Sequence, residues 1–263
     1  MDLKLKGLRA LVAGSSRGLG YATALGLARE GAAVALNSRD PEKLAAAAQK
    51  MSRETGARVI AAAGDVTDPA VPEALVAQVA ETFGSLDLLV TNAGGPPAGK
   101  FDTFDDATWQ KAVDLSLMSH VRLIRAALPY LRRSKAASVL TITSYSVKQP
   151  IPNLILSNSV RLATVGLTKS LALELGAEGI RFNSILPAWT ETERVNELME
   201  ARAKASGRSV DDEIARQAKD SPLERLGQPE EFANAAVFLL SPAASYITGV
   251  MLSVDGGMYK GTL

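Results

Sequence analysis

Short runs of consecutive apolar residues alternate along the chain with longer stretches whose apolar positions recur every three or four residues. The short runs fall at 8–13, 33–37, 58–63, 86–91, 138–143, 181–186 and 250–254, and none alternates polar with apolar. Strands of that kind belong to a sheet covered by helices on both faces. Helical periodicity spans 18–30, 42–54, 70–83, 106–133, 153–176 and 230–240. The alternation predicts right-handed strand–helix–strand crossovers and a doubly wound, Rossmann-type α/β fold with a parallel sheet of about seven strands. Gly31, Gly84 and Gly179 stand where helices are expected to stop.

No linker or repeat divides the pattern, so residues 1–263 are expected to form one domain. The alanine-rich 44–48 has the composition of a good exposed helix. Residues 193–220 are polar and charged and follow the sixth strand. Ligands in a doubly wound sheet lie beyond the carboxyl ends of the strands, so this insertion is either a substrate lid or a solvated helical pair.

Composition narrows the chemistry. With 29 basic and 28 acidic residues the net charge is +1, which offers no field for nucleic acid or an anionic membrane. Cysteine is absent and there is one histidine, so neither a thiolate nor a multi-histidine metal site is expected. No apolar run approaches the length of a spanning helix, and no signal peptide is apparent. The expectation is a cytoplasmic protein whose partners are small molecules and other copies of itself.

After the first strand comes Gly14-Ser15-Ser16-Arg17-Gly18-Leu19-Gly20, opening a helix. Glycines in such a turn let the backbone approach a pyrophosphate, whose charge the free N–H groups of the helix start can hold. The glycines alone can serve only a turn; the strand before and the helix after them point to a dinucleotide. An NAD site places an acid at the end of the second strand to meet the ribose hydroxyls. Here that strand ends Leu36-Asn37-Ser38-Arg39. Arg39 and Arg17 are suited to a 2′-phosphate, so NADP(H) is preferred and NAD(H) is possible. Alternatively, Arg39 opens a solvated loop and pairs with Asp40 or Glu42.

These motifs resemble the short-chain dehydrogenase/reductase family, and the resemblance spans nearly the whole chain. Asp65-Val66 is similar to the family's adenine contact, and Thr91-Asn92-Ala93-Gly94 to its signature after the fourth strand. Pro187-Ala188-Trp189-Thr190-Glu191-Thr192 resembles the nicotinamide-side loop, with Ala188 where glycine is usual. Arg225-Leu226-Gly227-Gln228-Pro229-Glu230-Glu231, then Tyr246-Ile247-Thr248-Gly249 and Asp255-Gly256-Gly257, resemble the C-terminal region of the ketoacyl-reductase-like branch. The resemblance implies that Gly14, Ser16, Arg17, Gly18, Leu19, Gly20, Asp65, Val66, Asn92, Ala93, Gly94, Pro187, Thr190 and Thr192 contact cofactor. It also implies a homotetramer or homodimer.

The family's chemistry uses a Ser, a Tyr, a Lys four residues later and an Asn on the preceding long helix. Ser144 matches the first. Thirteen residues on, where the Tyr falls, stands Ser157; Arg161 takes the place of the Lys and Ser116 that of the Asn. None of the five tyrosines has a lysine four residues later. An aliphatic hydroxyl is too weak an acid to replace a phenol, while Arg161 can still bind ribose as a permanent cation. Two routes restore function: Tyr145 can enter the site with Lys148 beside it, or the substrate can need little proton donation. An iminium already carries its proton, and an enone or quinone can take one from water. His120 is either a substitute proton carrier or a satisfied surface or interface histidine, and Trp189 either shields the nicotinamide or lines the pocket. The expected activity is NADP(H)-dependent oxidoreduction of a small carbonyl, enone, quinone or imine; the competing reading is a catalytically silent dinucleotide-binding protein.

Overall fold

A computed structural model describes residues 1–262, and it forms three layers. Among them, seven strands make one parallel sheet in the order β3-β2-β1-β4-β5-β6-β7. The strands are β1 (Arg9–Val12), β2 (Ala33–Ser38), β3 (Val59–Ala63), β4 (Leu88–Thr91), β5 (Ser138–Ile142), β6 (Arg181–Pro187) and β7 (Met251–Val254). Every neighbouring pair is parallel, with Val12 opposite both Leu36 and Val90 and Thr91 opposite Thr141.

Successive strand residues point to opposite faces, and both faces are apolar. Ala10, Val12, Val34, Leu36, Leu88 and Val90 face one helical layer, formed by α1 (Gly18–Arg29), α2 (Pro41–Thr55) and α9 (Pro229–Leu240). Leu11, Ala13, Ala35, Leu89, Val139 and Phe182 face the other. That layer contains α3 (Val71–Phe83), α5 (Ser119–Leu131) and α6 (Ile155–Leu175), with α4 (Asp106–Val113) packed at its end. Each fully buried Leu or Val contributes roughly 2 kcal/mol. The edge strands β3 and β7 are less completely covered.

Two expectations need correction. The 44–48 stretch is not simply exposed: within α2, Leu44, Ala48 and Met51 are buried against the sheet, and the polar residues between them meet water. The helical stretch 106–133 is not one regular helix. A five-residue π turn, Asp114–Met118, separates α4 from α5. Such turns loosen the backbone ladder and free carbonyls for other partners; the carbonyl of Ser116 accepts the Thr164 hydroxyl of α6.

Residues 193–220 hold two helices, α7 (Glu193–Ser206) and α8 (Val210–Ala218). Thr192 caps α7 through Val195 N–H, and a reciprocal Ser209–Asp212 capping box starts α8. Val195, Met199 and Ala203 of α7 are buried, the first two with Trp189, Leu186 and Leu226. Among the described residues no helix is long and apolar enough to cross a membrane.

Candidate active site

The chain turns in opposite directions from β1 and β4, so a crevice opens between their carboxyl ends. One wall is the glycine-rich loop. Gly14 and Gly18 adopt φ of +59° and +61°, and a side chain on Gly20 would begin 2.3 Å from the carbonyl oxygen of Gly14. The turn therefore has no room for any residue larger than glycine there. It is held from both sides: Asn92 Nδ2 donates to Gly14 O at 3.0 Å, and Ser15 N–H donates to Asn37 O at 2.9 Å. Ser15 Oγ in turn donates to Val12 O and accepts from Asn37 N–H.

The N-terminus of α1 lacks a side-chain cap and has no acid in its first turn, whereas α2, α4, α7 and α8 are all capped by side chains. Its free N–H groups and positive dipole end point into the crevice and suit a diphosphate. Asp65 closes its own turn by accepting from the N–H and hydroxyl of Thr67, while Val66 is buried beside it. Arg39 stands free of β2 with its side chain 79% exposed, 3.9 Å from Asp65 and with no acid ahead of it on the strand. Arg17 is 3.4 Å from Glu197 of α7. Pro187 and Thr190 are buried at the end of β6, and Ser16, Leu19 and Ala93 line the crevice half-exposed. A cavity of about 600 Å³ opens beside Gly18 and Thr192, between α1, α7 and α9. It adjoins the dinucleotide crevice and lies apart from Ser144 and Ser157.

At the other end of the crevice, α6 brings Ser157 and Arg161 to one face, one turn apart. Arg161 is buried, and its guanidinium donates to the carbonyls of Thr143 at 3.1 Å, Gly94 at 3.2 Å and Ile142 at 3.5 Å. Burial first, then the charge of Arg194, brings its pKa down to about 10, so it remains a cation at neutral pH. Ser144 follows Thr143 directly. Its oxygen accepts from Ser146 N–H at 3.1 Å, which leaves its own proton free to donate. Ser157 is half-buried at the start of α6.

The pairing of Tyr145 with Lys148 is not what the structure holds. Tyr145 is buried with Trp189, Ile151 and Met199, and burial raises its pKa above that of an ordinary phenol. The Trp189 indole N–H, for which no acceptor among the described residues has hydrogen-bond geometry, offsets this only in part. The Lys148 ammonium instead lies over the Tyr259 ring, 5.2 Å from its centroid. A four-residue loop aims the two side chains at different neighbours, which adjacency in sequence does not reveal.

His120 is not at the surface. It is buried, its Nδ1 is 2.7 Å from Thr91 Oγ1, and burial followed by the Arg161 charge lowers its pKa to about 3. The hydroxyl of Ser116 is buried without a partner among the described residues, as are His120 Nε2 and Thr143 Oγ1. Trp189 is buried beneath Arg202, whose guanidinium lies 4.7 Å from its ring centroid.

Arg194, unremarked in the sequence motifs, also enters the site. From the first turn of α7 it reaches across to Pro96 O at 3.4 Å and rests 3.5 Å from where a side chain on Gly95 would begin. A cation in the first turn of a helix opposes the helix dipole, and that misplaced charge is the signal that singles it out. Among the described residues no group of three or more potential ligands is placed to hold a metal.

The fold is one that related chains share. A family model described as enoyl-(acyl carrier protein) reductase matches residues 13–259. The 3alpha-hydroxysteroid dehydrogenase of Mediterraneibacter gnavus is 34% identical over 257 residues, covering 97% of this chain and 98% of that protein. L-sorbose reductase from Gluconobacter frateurii, solved with NADPH and L-sorbose, superposes with a TM-score of 0.95 at 34% identity over 99% of this chain and 100% of its own. An NADPH-bound short-chain oxidoreductase from Pseudomonas aeruginosa PAO1, described as containing an atypical catalytic center, gives 0.88 at 33% identity over 97% and 98%. The chain belongs to the short-chain dehydrogenase/reductase family of oxidoreductases.

Proposed function

We propose that this protein is an NADP(H)-dependent oxidoreductase acting on a small carbonyl, enone, quinone or imine, with Ser144, Ser157 and Arg161 as its catalytic set. The observation that carries the reading is Arg161, held by three carbonyls at the head of a crevice whose other end is an uncapped helix start. That combination suits a dinucleotide whose diphosphate meets α1 and whose nicotinamide ribose meets Arg161. The bound cofactor supplies or accepts a hydride.

Gly14, Gly18 and Gly20 bring the backbone close to the diphosphate, with Ser16 and Leu19 completing the cradle. Asp65 and Val66 flank the adenine, Asn92, Ala93 and Gly94 the ribose, and Pro187, Thr190 and Thr192 the carboxamide side. Arg17 and Arg39 hold the 2′-phosphate; for Arg17 this means leaving Glu197. Ser144, whose oxygen is already occupied by an N–H, donates its proton to the substrate's electronegative atom, with Ser157 as a second donor. Neither hydroxyl can release that proton at neutral pH, so the proton consumed in reduction comes from water or from the substrate itself. Helices α7 and α8 serve as a lid over the site. The working form is a homodimer or homotetramer.

The raised pKa of Tyr145 and the missing lysine beside it favour a second reading, a dinucleotide-binding protein without turnover. Following NADPH loss with a panel of ketones, enones, quinones and imines separates the two. Turnover of at least one class is expected; tight NADPH binding with no turnover of any class overturns the enzyme reading. Arg39→Asp is expected to weaken NADPH binding and spare NADH, and an unchanged preference refutes the cofactor assignment.

A further inference from the structure

Two guanidiniums converge on one short loop of the site. Arg161 donates to Gly94 O at 3.2 Å and Arg194 to Pro96 O at 3.4 Å, so guanidiniums from α6 and α7 reach carbonyls two residues apart. Both are short of negative charge. The hydrogen-bond partners of Arg161 are backbone carbonyls, and no acid among the described residues contributes to its environment. Arg194 has Glu197 at 3.5 Å, but the same carboxylate is 3.4 Å from Arg17. Those separations are long for charge-assisted hydrogen bonds, and one carboxylate cannot neutralise two cations.

The position of Arg194 has a cost in its own helix. It stands in the first turn of α7, where the dipole favours acids, and its side chain, 46% exposed, reaches over Gly95, beside the loop whose Gly94 carbonyl Arg161 holds. An approaching iminium would meet like charge from both guanidiniums. An approaching anion would be drawn by both charges and would meet, at the half-exposed Arg194, a fork able to grip planar oxygens.

Resting on the oxidoreductase reading above, we propose that the substrate carries a carboxylate, which Arg194 binds beside the 94–96 loop while Ser144 holds the carbonyl. The anionic oxygens that Arg194 meets have one other source, the diphosphate of the dinucleotide, and the test separates the two. The probes are pyruvate, acetoacetate and levulinate, each against its methyl ester, which keeps the carbonyl and removes the charge at three different spacings.

With NADPH, at least one acid is expected to exceed its ester in kcat/KM by about ten- to a hundredfold, the worth of one charged hydrogen bond. Arg194→Gln should bring that ratio close to one, and Arg194→Lys should retain part of it, which a folding defect would not do. Three results overturn the proposal: esters used as well as acids throughout, a ratio that survives Arg194→Gln, or a variant that loses NADPH affinity about tenfold with the ratio intact, which assigns Arg194 to the diphosphate. Calorimetric binding of the same acids and esters to the chain, alone and saturated with NADP+, gives a readout independent of turnover. A chain that never binds NADPH refutes the oxidoreductase reading, while the acid-to-ester binding ratio still decides the role of Arg194.

Discussion

At the scale of single residues, the proposed catalytic set with Arg161 in the place of a lysine limits what the site can do with a proton. Its guanidinium is fixed by the carbonyls of Thr143 and Gly94 and stays charged at pH 7, so it can order hydroxyls but cannot pass a proton on. Hydrogen-bond donation then rests on Ser144. Ser144→Ala is expected to lower kcat by roughly a hundredfold, as loss of a donor to a developing oxyanion does. Tyr145→Phe, which removes a phenol already packed away from Lys148, should change kcat by no more than about threefold. Steady-state kinetics on the two variants give the ranking, and the reverse order would make Tyr145 the working group. His120 yields a prediction in pH. The imidazole titrates at about 3 in the fold against 6.5 ordinarily, so the unfolded chain binds its proton first as pH falls. The contribution of His120 to stability is full above about pH 6.5 and declines toward pH 3, by roughly 2 kcal/mol at pH 5. Urea unfolding at pH 7 and pH 5 should show the wild type losing about that much more than His120→Gln; equal losses in the two proteins would refute a buried neutral imidazole.

At the scale of elements, the site depends on which helix faces the crevice and where each begins. The glycine-rich turn, the strands and the common face of Ser157 and Arg161 on α6 could be read from sequence, because spacing along one strand or one helix fixes them whatever else folds around them. What could not be read depended on contact between distant elements. The π turn Asp114–Met118 exists where the Ser116 carbonyl meets Thr164, 48 residues on. Arg194 reaches Pro96 across 98 residues, and only its unfavourable place in a helix first turn hints at it. The helices α7 and α8 were legible as a polar insertion, with a helical pair as one of its two readings, but their docking was not, since much of their apolar content, Val195, Met199, Val210 and Ile214 included, is spent on one small cluster with Trp189. Their helices are short and their polar faces large, so they open more readily than the sheet. If they form a lid over a bound dinucleotide, adding NADPH should slow hydrogen exchange of amides in 193–218 by about tenfold or more while leaving β1, β4 and β5 unchanged. Mass-spectrometric exchange with and without NADPH measures this, and equal exchange in α7 and α8 would remove the lid assignment.

At the scale of the whole molecule, the question is what covers the outer face of α6, the longest helix. Its inner face holds Arg161 and packs on the sheet. Its outer face exposes Leu162 at 53% and Leu173 at 76%. Eleven residues separate them, three helical turns, so they lie in one stripe. Between them Gly166 offers no side chain and meets no neighbour within 4 Å, so the stripe, which also carries the exposed Lys169, is flat at that point and open to another helix. Exposed leucines aligned on a flat helix face are costly in a monomer and suit a two-fold contact in which α6 of one copy lies along α6 of another. Such a contact would also bear on the site, since it would hold from behind the helix that carries Ser157 and Arg161. Light scattering should therefore give two or four times the mass of the chain, and Leu173→Glu, which sets like charges against each other across a two-fold axis, should shift the protein toward the monomer and lower its melting temperature. A wild type that is monomeric at micromolar concentration, or a Leu173→Glu variant with unchanged mass, would show that this face is solvated and that α6 is held by its own chain alone.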